Sequence, residues 1–314
     1  MNWFGFLNCD KPPGMTSRDV VNVAQRRLKK IKVGHAGTLD PLAEGVLVLG
    51  LGPAARLVTH VQSYRKHYFG TFRLGEHSPS EDIESETTRP AGLPTPSKES
   101  LELAAQEMVG CITQTPSAFS AIHVNGKRAY QRARAGEVFE MPSRQVDVFS
   151  VEVMRYDFPE LVLSVSCGSG TYIRSIGADL AKKVGTCAVM TALRRDAIGP
   201  FHEGDAIDIQ TLKEADLAKF LLPPTLAIKN LRRAVVNAED CQKIRFGQTL
   251  DCSPMPPPDP TTPMTSTAVQ STQTESTNLD VAAIDQQGDL VAILRRKGDQ
   301  WHPYRVFPRD PKKE

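Results

Sequence analysis

The sequence predicts an α+β fold, a mixed and largely antiparallel central sheet with flanking helices, followed by a small β-rich C-terminal domain. Three observations carry this reading. Strand-like and helix-like runs are interspersed without the regular alternation of a parallel α/β sheet. Of 314 residues, 40% are hydrophobic and 24% charged, the composition of a chain that can bury a core. Composition then breaks at position 253, and strand-like runs resume only near 280.

Residues 4–9 read as a strand, and Lys11-Pro12-Pro13-Gly14 as a turn. Ser17 can cap a helix to about residue 30, with Val20, Val21, Val23, Ala24 and Leu28 as its apolar stripe. Residues 46–51 form a short buried strand, 53–64 a helix opened by Pro53, and 66–74 an alternating strand. The acidic, Ser/Thr/Pro-rich stretch 76–97 reads as a loop, and 97–109 as a helix. Strands follow at 119–124, 146–155 and 161–167, then a helix at 171–184 and a strand at 187–198 closed by Gly199-Pro200. Between 253 and 278, 17 of 26 residues are Pro, Thr or Ser. Such a stretch buries too little apolar surface to offset its ordering entropy, so it reads as a disordered insertion. Short strands at 280–284, 289–295 and 303–307 complete the chain. The expected domains are 1–230 and 231–314.

Several function classes are excluded by pattern. The longest apolar run, 45–52, is far short of the ~20 residues of a membrane span. The N-terminus has no basic stretch followed by an apolar one, so a cytoplasmic protein is expected. Six cysteines lack any C-x-x-C pair and seven histidines lack H-E-x-x-H, so neither a disulfide scaffold nor a metal is expected. Gly50-Leu51-Gly52-Pro53-Ala54-Ala55 fits G-x-G-x-x-A after a strand, but no doubly wound sheet follows to hold a dinucleotide. No cofactor is expected.

Charge is uneven beneath a net of +2. Residues 1–75 carry a net of +7 and residues 76–110 a net of −6. Lys127, Arg128, Arg132 and Arg134 then form an acid-free cluster. Basic patches on a near-neutral chain fit a localised polyanion-binding face or, more simply, solvated surface helices.

Three segments could carry chemistry. Gly34-His35-Ala36-Gly37-Thr38-Leu39-Asp40-Pro41 gathers an imidazole, a hydroxyl and a carboxylate on a glycine-flexed, non-periodic stretch. Asp40-Pro41 could cap a helix, but Gly45 leaves little helix to cap, so Asp40 is placed to be a nucleophile or base. Gly168-Ser169-Gly170-Thr171-Tyr172-Ile173-Arg174 feeds a helix whose first turn holds a cation the dipole disfavours. Arg174 is either neutralised by an anion or a surface side chain reaching water. Tyr68 on its strand reads first as a core aromatic. Leu193-Arg194-Arg195 reads as a core leucine beside surface charges.

Together these segments resemble the TruB family of tRNA pseudouridine synthases. Gly5–Ser17 (Gly5-Phe6-Leu7-Asn8-Cys9-Asp10-Lys11-Pro12-Pro13-Gly14-Met15-Thr16-Ser17) matches the family's opening. The 34–47 segment, Lys66-His67-Tyr68 through Gly75, 114–130, 167–174 and Leu193-Arg194-Arg195 follow in family order. The resemblance implies the pseudouridine synthase fold, a PUA-like C-terminal domain, and isomerisation of uridine 55 in the T loop of tRNA by base flipping. It implies Asp40 as catalytic aspartate, Tyr68 stacking on the base, and Arg174 paired with Asp40. It also implies Leu193 against the flipped base and His35 prying the loop, with Gly37, Thr38, Lys11, Lys127, Arg128 and Tyr172 as substrate contacts. The partner is the T arm of tRNA, and the protein is expected as a monomer without metal. Two departures from the family pattern bear on RNA affinity and loop contacts: Phe119 and His123 stand for Tyr and Lys, and Ser78-Pro79-Ser80-Glu81-Asp82 for Thr-Asp-Thr-x-Asp.

Overall fold

A computed structural model describes residues 3–120, 122–124, 126–251 and 280–308. The insertion expected at 253–278 lies outside the described residues. Among these residues the strands are β1 (Gly5–Lys11), β2 (Val33–His35), β3 (Glu44–Leu51), β4 (Lys66–Leu74), β5 (Gly110–Gln114), β6 (His123–Val124), β7 (Lys127–Arg128) and β8 (Arg144–Asp157). They continue as β9 (Glu160–Cys167), β10 (Ala188–Ile198), β11 (Phe201–His202), β12 (Arg232–Val235), β13 (Leu250–Asp251), β14 (Val281–Ile284), β15 (Leu290–Lys297) and β16 (Gln300–Val306). The helices are α1 (Ser17–Leu28), α2 (Val58–Gln62), α3 (Lys98–Gln106), α4 (Ala129–Arg134), α5 (Ile173–Lys183), α6 (Ile209–Glu214) and α7 (Ala238–Arg245).

One sheet runs β1-β3-β10-β4-β9-β8-β5, with β2 on β3 and β11 on β10. Its pairings are antiparallel except where β10 meets β3, a two-residue parallel contact of Arg194 with Glu44 and Arg195 with Gly45. That junction matters for the site. On its other side Arg195 lies opposite Tyr68 of β4. Gly45 has φ +100 and lies against the Arg195 backbone, where a Cβ would collide with the carbonyl. Only glycine allows β3 and β10 to close there.

Burial on β4 alternates strictly, as the pattern of 66–74 predicts. Helix α5 lays Ile173, Ile176 and Leu180 on the sheet. Its Gly177 sits so close to the Phe72 ring that no side chain fits between them. A second, five-stranded sheet has the order β12-β14-β15-β16-β13. It shares an apolar cluster with the first: Phe6, Tyr64 and Phe201 pack with Ala282, Ile293 and Phe307. No helix among the described residues is long and apolar enough to cross a membrane.

Three local expectations are corrected. Thr16, not Ser17, caps α1, in a reciprocal box with Asp19. The helix expected at 53–64 is a 3-10 turn, Gly52–Arg56, followed by the short α2. The strand expected at 119–124 shrinks to the hairpin β6–β7, because the carbonyls of Ser120 and Ile122 accept the amides of Tyr130 and Ala129 at the start of α4. The acidic stretch 76–97 is a loop, as expected, but Glu76, Ser78, Ser80 and Asp82 within it are buried. Asp82 forms a bridge to Met190 of β10, which stitches the loop to the sheet.

Candidate active site

A cleft of about 270 Å³ opens where β4 and β10 meet the N-terminus of α5 and the loop between β2 and β3. Gly37, Thr38, Asp40, Tyr68, Tyr172, Arg174 and Leu193 line it, so seven residues singled out in sequence converge. His35, Lys11, Lys127 and Arg128 do not line it.

The loop holding Asp40 is pinned from behind. The Leu39 amide donates to Ser17 Oγ at 2.8 Å, and that hydroxyl donates back to the Leu39 carbonyl at 3.1 Å. The Gly37 carbonyl accepts from Arg195 Nη2 at 3.2 Å. Lys11 braces the next turn. Its ammonium is fully buried and donates to the carbonyls of Pro12, Met15 and Pro41 at 3.0, 2.6 and 3.4 Å. Burial pushes it down to about 8. Placed there, Lys11 holds the chain beside Asp40 and offers nothing to a ligand.

Asp40 is 40% exposed, while its partner Arg174 is 4% exposed. Arg174 Nη1 donates to Asp40 Oδ2 at 3.3 Å and to Asp82 Oδ2 at 3.1 Å, and Nη2 to the Phe119 carbonyl at 3.3 Å. The anion that offsets the helix dipole is therefore two carboxylates. Asp82, 1% exposed, is further held by the Ser80 hydroxyl at 2.6 Å and the Glu84 amide at 3.0 Å. Its stretch thus bears on the site itself, not on loop contacts alone.

Tyr68 is buried at the cleft wall, and burial raises its hydroxyl while neighbouring Arg195 draws it down. Leu193 lies two residues from Arg195 on β10, so both face the cleft. The Tyr172 ring carries the guanidinium of Arg144 at 4.8 Å and that of Arg174 at 5.2 Å. The Tyr172 backbone is clamped by buried Gln114, whose Oε1 accepts its amide at 2.8 Å and whose Nε2 donates to its carbonyl at 3.0 Å. His35 sits on β2, and burial lowers its imidazole. Lys127 and Arg128 form β7, exposed and apart from the cleft lining.

Sequence reading missed Lys66, Arg144 and Arg195. All three line the cleft, and Lys66 and Arg195 are buried. The available signal was strand alternation: Lys66 shares a face with Tyr68, and Arg195 with Leu193.

The family model described as "TruB family pseudouridylate synthase (N terminal domain)" matches residues 25–173, and "tRNA pseudouridylate synthase B C-terminal domain" matches 174–240. A protein of Rhodopirellula baltica named tRNA pseudouridine synthase B is 40% identical over 329 residues, covering 97% of this chain and 94% of that one. The chain belongs to the TruB family. Another TruB relative, from Caulobacter vibrioides and of the same name, is 36% identical and covers 96% of each chain. The TruB chain is thus an isomerase of the pseudouridine synthase class. Its fold matches an H/ACA ribonucleoprotein bound to a substrate RNA containing 2'-deoxyuridine, with TM-score 0.72 over 98% of this chain and 86% of that one. An archaeal box H/ACA complex gives TM-score 0.71 over 98% and 88%. Identities of 23% and 22% make these likenesses of fold.

Proposed function

We propose that the protein isomerises uridine 55 in the T loop of tRNA to pseudouridine, with the nucleotide flipped into the cleft and Asp40 as nucleophile. One observation carries this reading: Asp40 is the single carboxylate among the cleft-lining residues, exposed to a ligand yet aimed by a buried arginine. The reaction breaks the N1–C1′ bond, turns the uracil and joins C5 to C1′. A fixed carboxylate suits attack at a sugar carbon, as in glycosidases. Removing the base from its stack costs a few kcal/mol, offset by Tyr68 and Leu193 against the flipped ring.

The remaining roles follow the family resemblance. His35, on the strand feeding the loop, pries the RNA open, while Gly37, Thr38 and Tyr172 shape the cleft. Lys127 and Arg128 hold phosphates of the T arm, and residues 231–314 act as a PUA-like contact. The protein works as a cytoplasmic monomer. The test is incubation of purified protein with a full-length tRNA transcript in EDTA, with pseudouridine mapped by position. A single pseudouridine at position 55, lost when that uridine is replaced by cytidine, is expected. Modification elsewhere would overturn the assigned position.

A further inference from the structure

Three lysine or arginine side chains lie buried around the cleft without a carboxylate ion-pair partner among the described residues: Lys11, Lys66 and Arg195. Their hydrogen bonding divides them. Lys11 has three donor hydrogens and three carbonyl acceptors, so it is satisfied, and it does not line the cleft. Lys66 also has three donors but meets two carbonyls, those of Gln62 and Tyr64, at 2.5 and 2.8 Å. Arg195 has five donors and gives two to carbonyls, those of Val46 and Gly37, at 2.8 and 3.2 Å. Both line the cleft. The ionisable neighbour they share, Cys167, is a thiol that burial pushes up to about 11, so it brings no charge at neutral pH. Arg174, by contrast, is already matched by Asp40 and Asp82. Two buried cations with spare donors therefore face a cavity, and a buried cation left without an anion is costly. The cavity calls for an anionic guest.

We infer that Lys66 and Arg195 form a cationic seat that holds the uracil as an anion while it is detached from the sugar. This rests on the isomerisation proposed above. When N1–C1′ breaks, the bonding pair goes to the base, and an Asp40 carboxylate oxygen bonds to C1′. The freed uracil carries one negative charge shared by N1, O2 and O4. The seat offers N–H donors to those oxygens, so it favours the charge as it develops. After the ring turns, C5 attacks C1′ and the Asp40 oxygen leaves with its electron pair. The C5 proton is lost to solvent and N1 gains one, so no co-reactant is consumed.

The experiment compares a T-arm stem-loop carrying uridine at the target position with one carrying 5-fluorouridine. It reads single-turnover loss of the target nucleoside after nuclease digestion. Fluorine makes the detached base a weaker base, so its anion needs less help from the protein. Lys66→Gln is expected to slow the uridine substrate about 100-fold, the scale for losing one donor that stabilises a developing anion. The 5-fluorouridine substrate should lose a clearly smaller factor. Arg195→Lys, which keeps the charge but rearranges the donors, should show the same selective loss in milder form. It carries the test if Lys66→Gln unfolds, as checked by thermal melting. Equal losses on the two substrates, or unchanged rates, would overturn the seat. A wild-type protein inactive on the uridine stem-loop would instead overturn the proposed isomerisation.

Discussion

The nine-stranded sheet and the five-stranded sheet handle charge in opposite ways. Around the first, Lys11, Lys66, Glu76, Asp82, Arg174 and Arg195 are all buried. In the second, no charged side chain among the described residues is buried, and the core is Val281, Ala282, Ile293 and Leu294 with their neighbours. One of its ion pairs, Arg295 with Asp280, forms a two-pronged contact at 2.8 and 2.9 Å on a partly open surface. Burying ions costs several kcal/mol each unless good partners replace water. The first sheet bears part of that cost at the cleft, where Lys66, Arg174 and Arg195 can act on a reacting nucleotide. The second is an apolar platform whose charges stay wet. The contrast teaches that buried charge gathers at the first sheet, while the second keeps its charged side chains at the surface.

The largest expected effect breaks the first sheet's chemistry without touching its packing. Asp40→Asn keeps shape and hydrogen bonding but removes the negative charge a nucleophile needs. Single-turnover pseudouridine formation should fall below detection, while filter binding of tRNA, set mainly by phosphate contacts, changes little. Substantial turnover by this variant would remove Asp40 from the nucleophile's role.

Next in size is a paired test of buried against open ion pairs. Asp82→Ala leaves Arg174 buried beside one half-open carboxylate, and should cost ~3–5 kcal/mol of unfolding free energy. Asp280→Ala removes the partner of Arg295 at the other sheet and should cost about 1 kcal/mol or less. Urea unfolding of the two variants reads the difference directly. Similar losses would erase the distinction between the sheets.

Much of this division is legible in the sequence, and its gaps have physical causes. The strand at 66–74 declares itself by alternation, and its observed burial follows that alternation residue by residue. Asp40 stands out because glycines and polar groups interrupt any periodicity around it. Arg174 stands out as a cation in a first helical turn. Asp82 does not, because its acidic, proline-rich surroundings resemble solvated loop. Its burial is decided by Met190 and Arg174, more than ninety residues away in sequence, which no local pattern reports. Lys66 and Arg195 were readable by face, but a charged residue in a strand defaults to the solvent side. Lys11, beside a turn, is a substrate contact by the family resemblance, and only the three carbonyls converging on it reveal a brace.

The smallest expected effect concerns exposed charge on the β6–β7 hairpin, and it sharpens the comparison from the other side. Lys127 and Arg128 lie on an exposed two-residue strand that does not line the cleft. A solvated cation there already has its hydration, so it gains little from any one fixed neighbour. Its attraction to RNA fades beyond about 8 Å at physiological ionic strength. It can therefore contribute to binding but not to the developing charge in the cleft. Lys127→Ala and Arg128→Ala should each weaken T-arm binding uniformly across stem sequences and lower the salt slope of binding by about 1. At saturating RNA the single-turnover rate should match wild type, in contrast to Lys66→Gln. The readout is filter binding across a salt series alongside rates at saturation. A rate loss at saturation with an unchanged salt slope would move these two residues from the binding face into the chemistry.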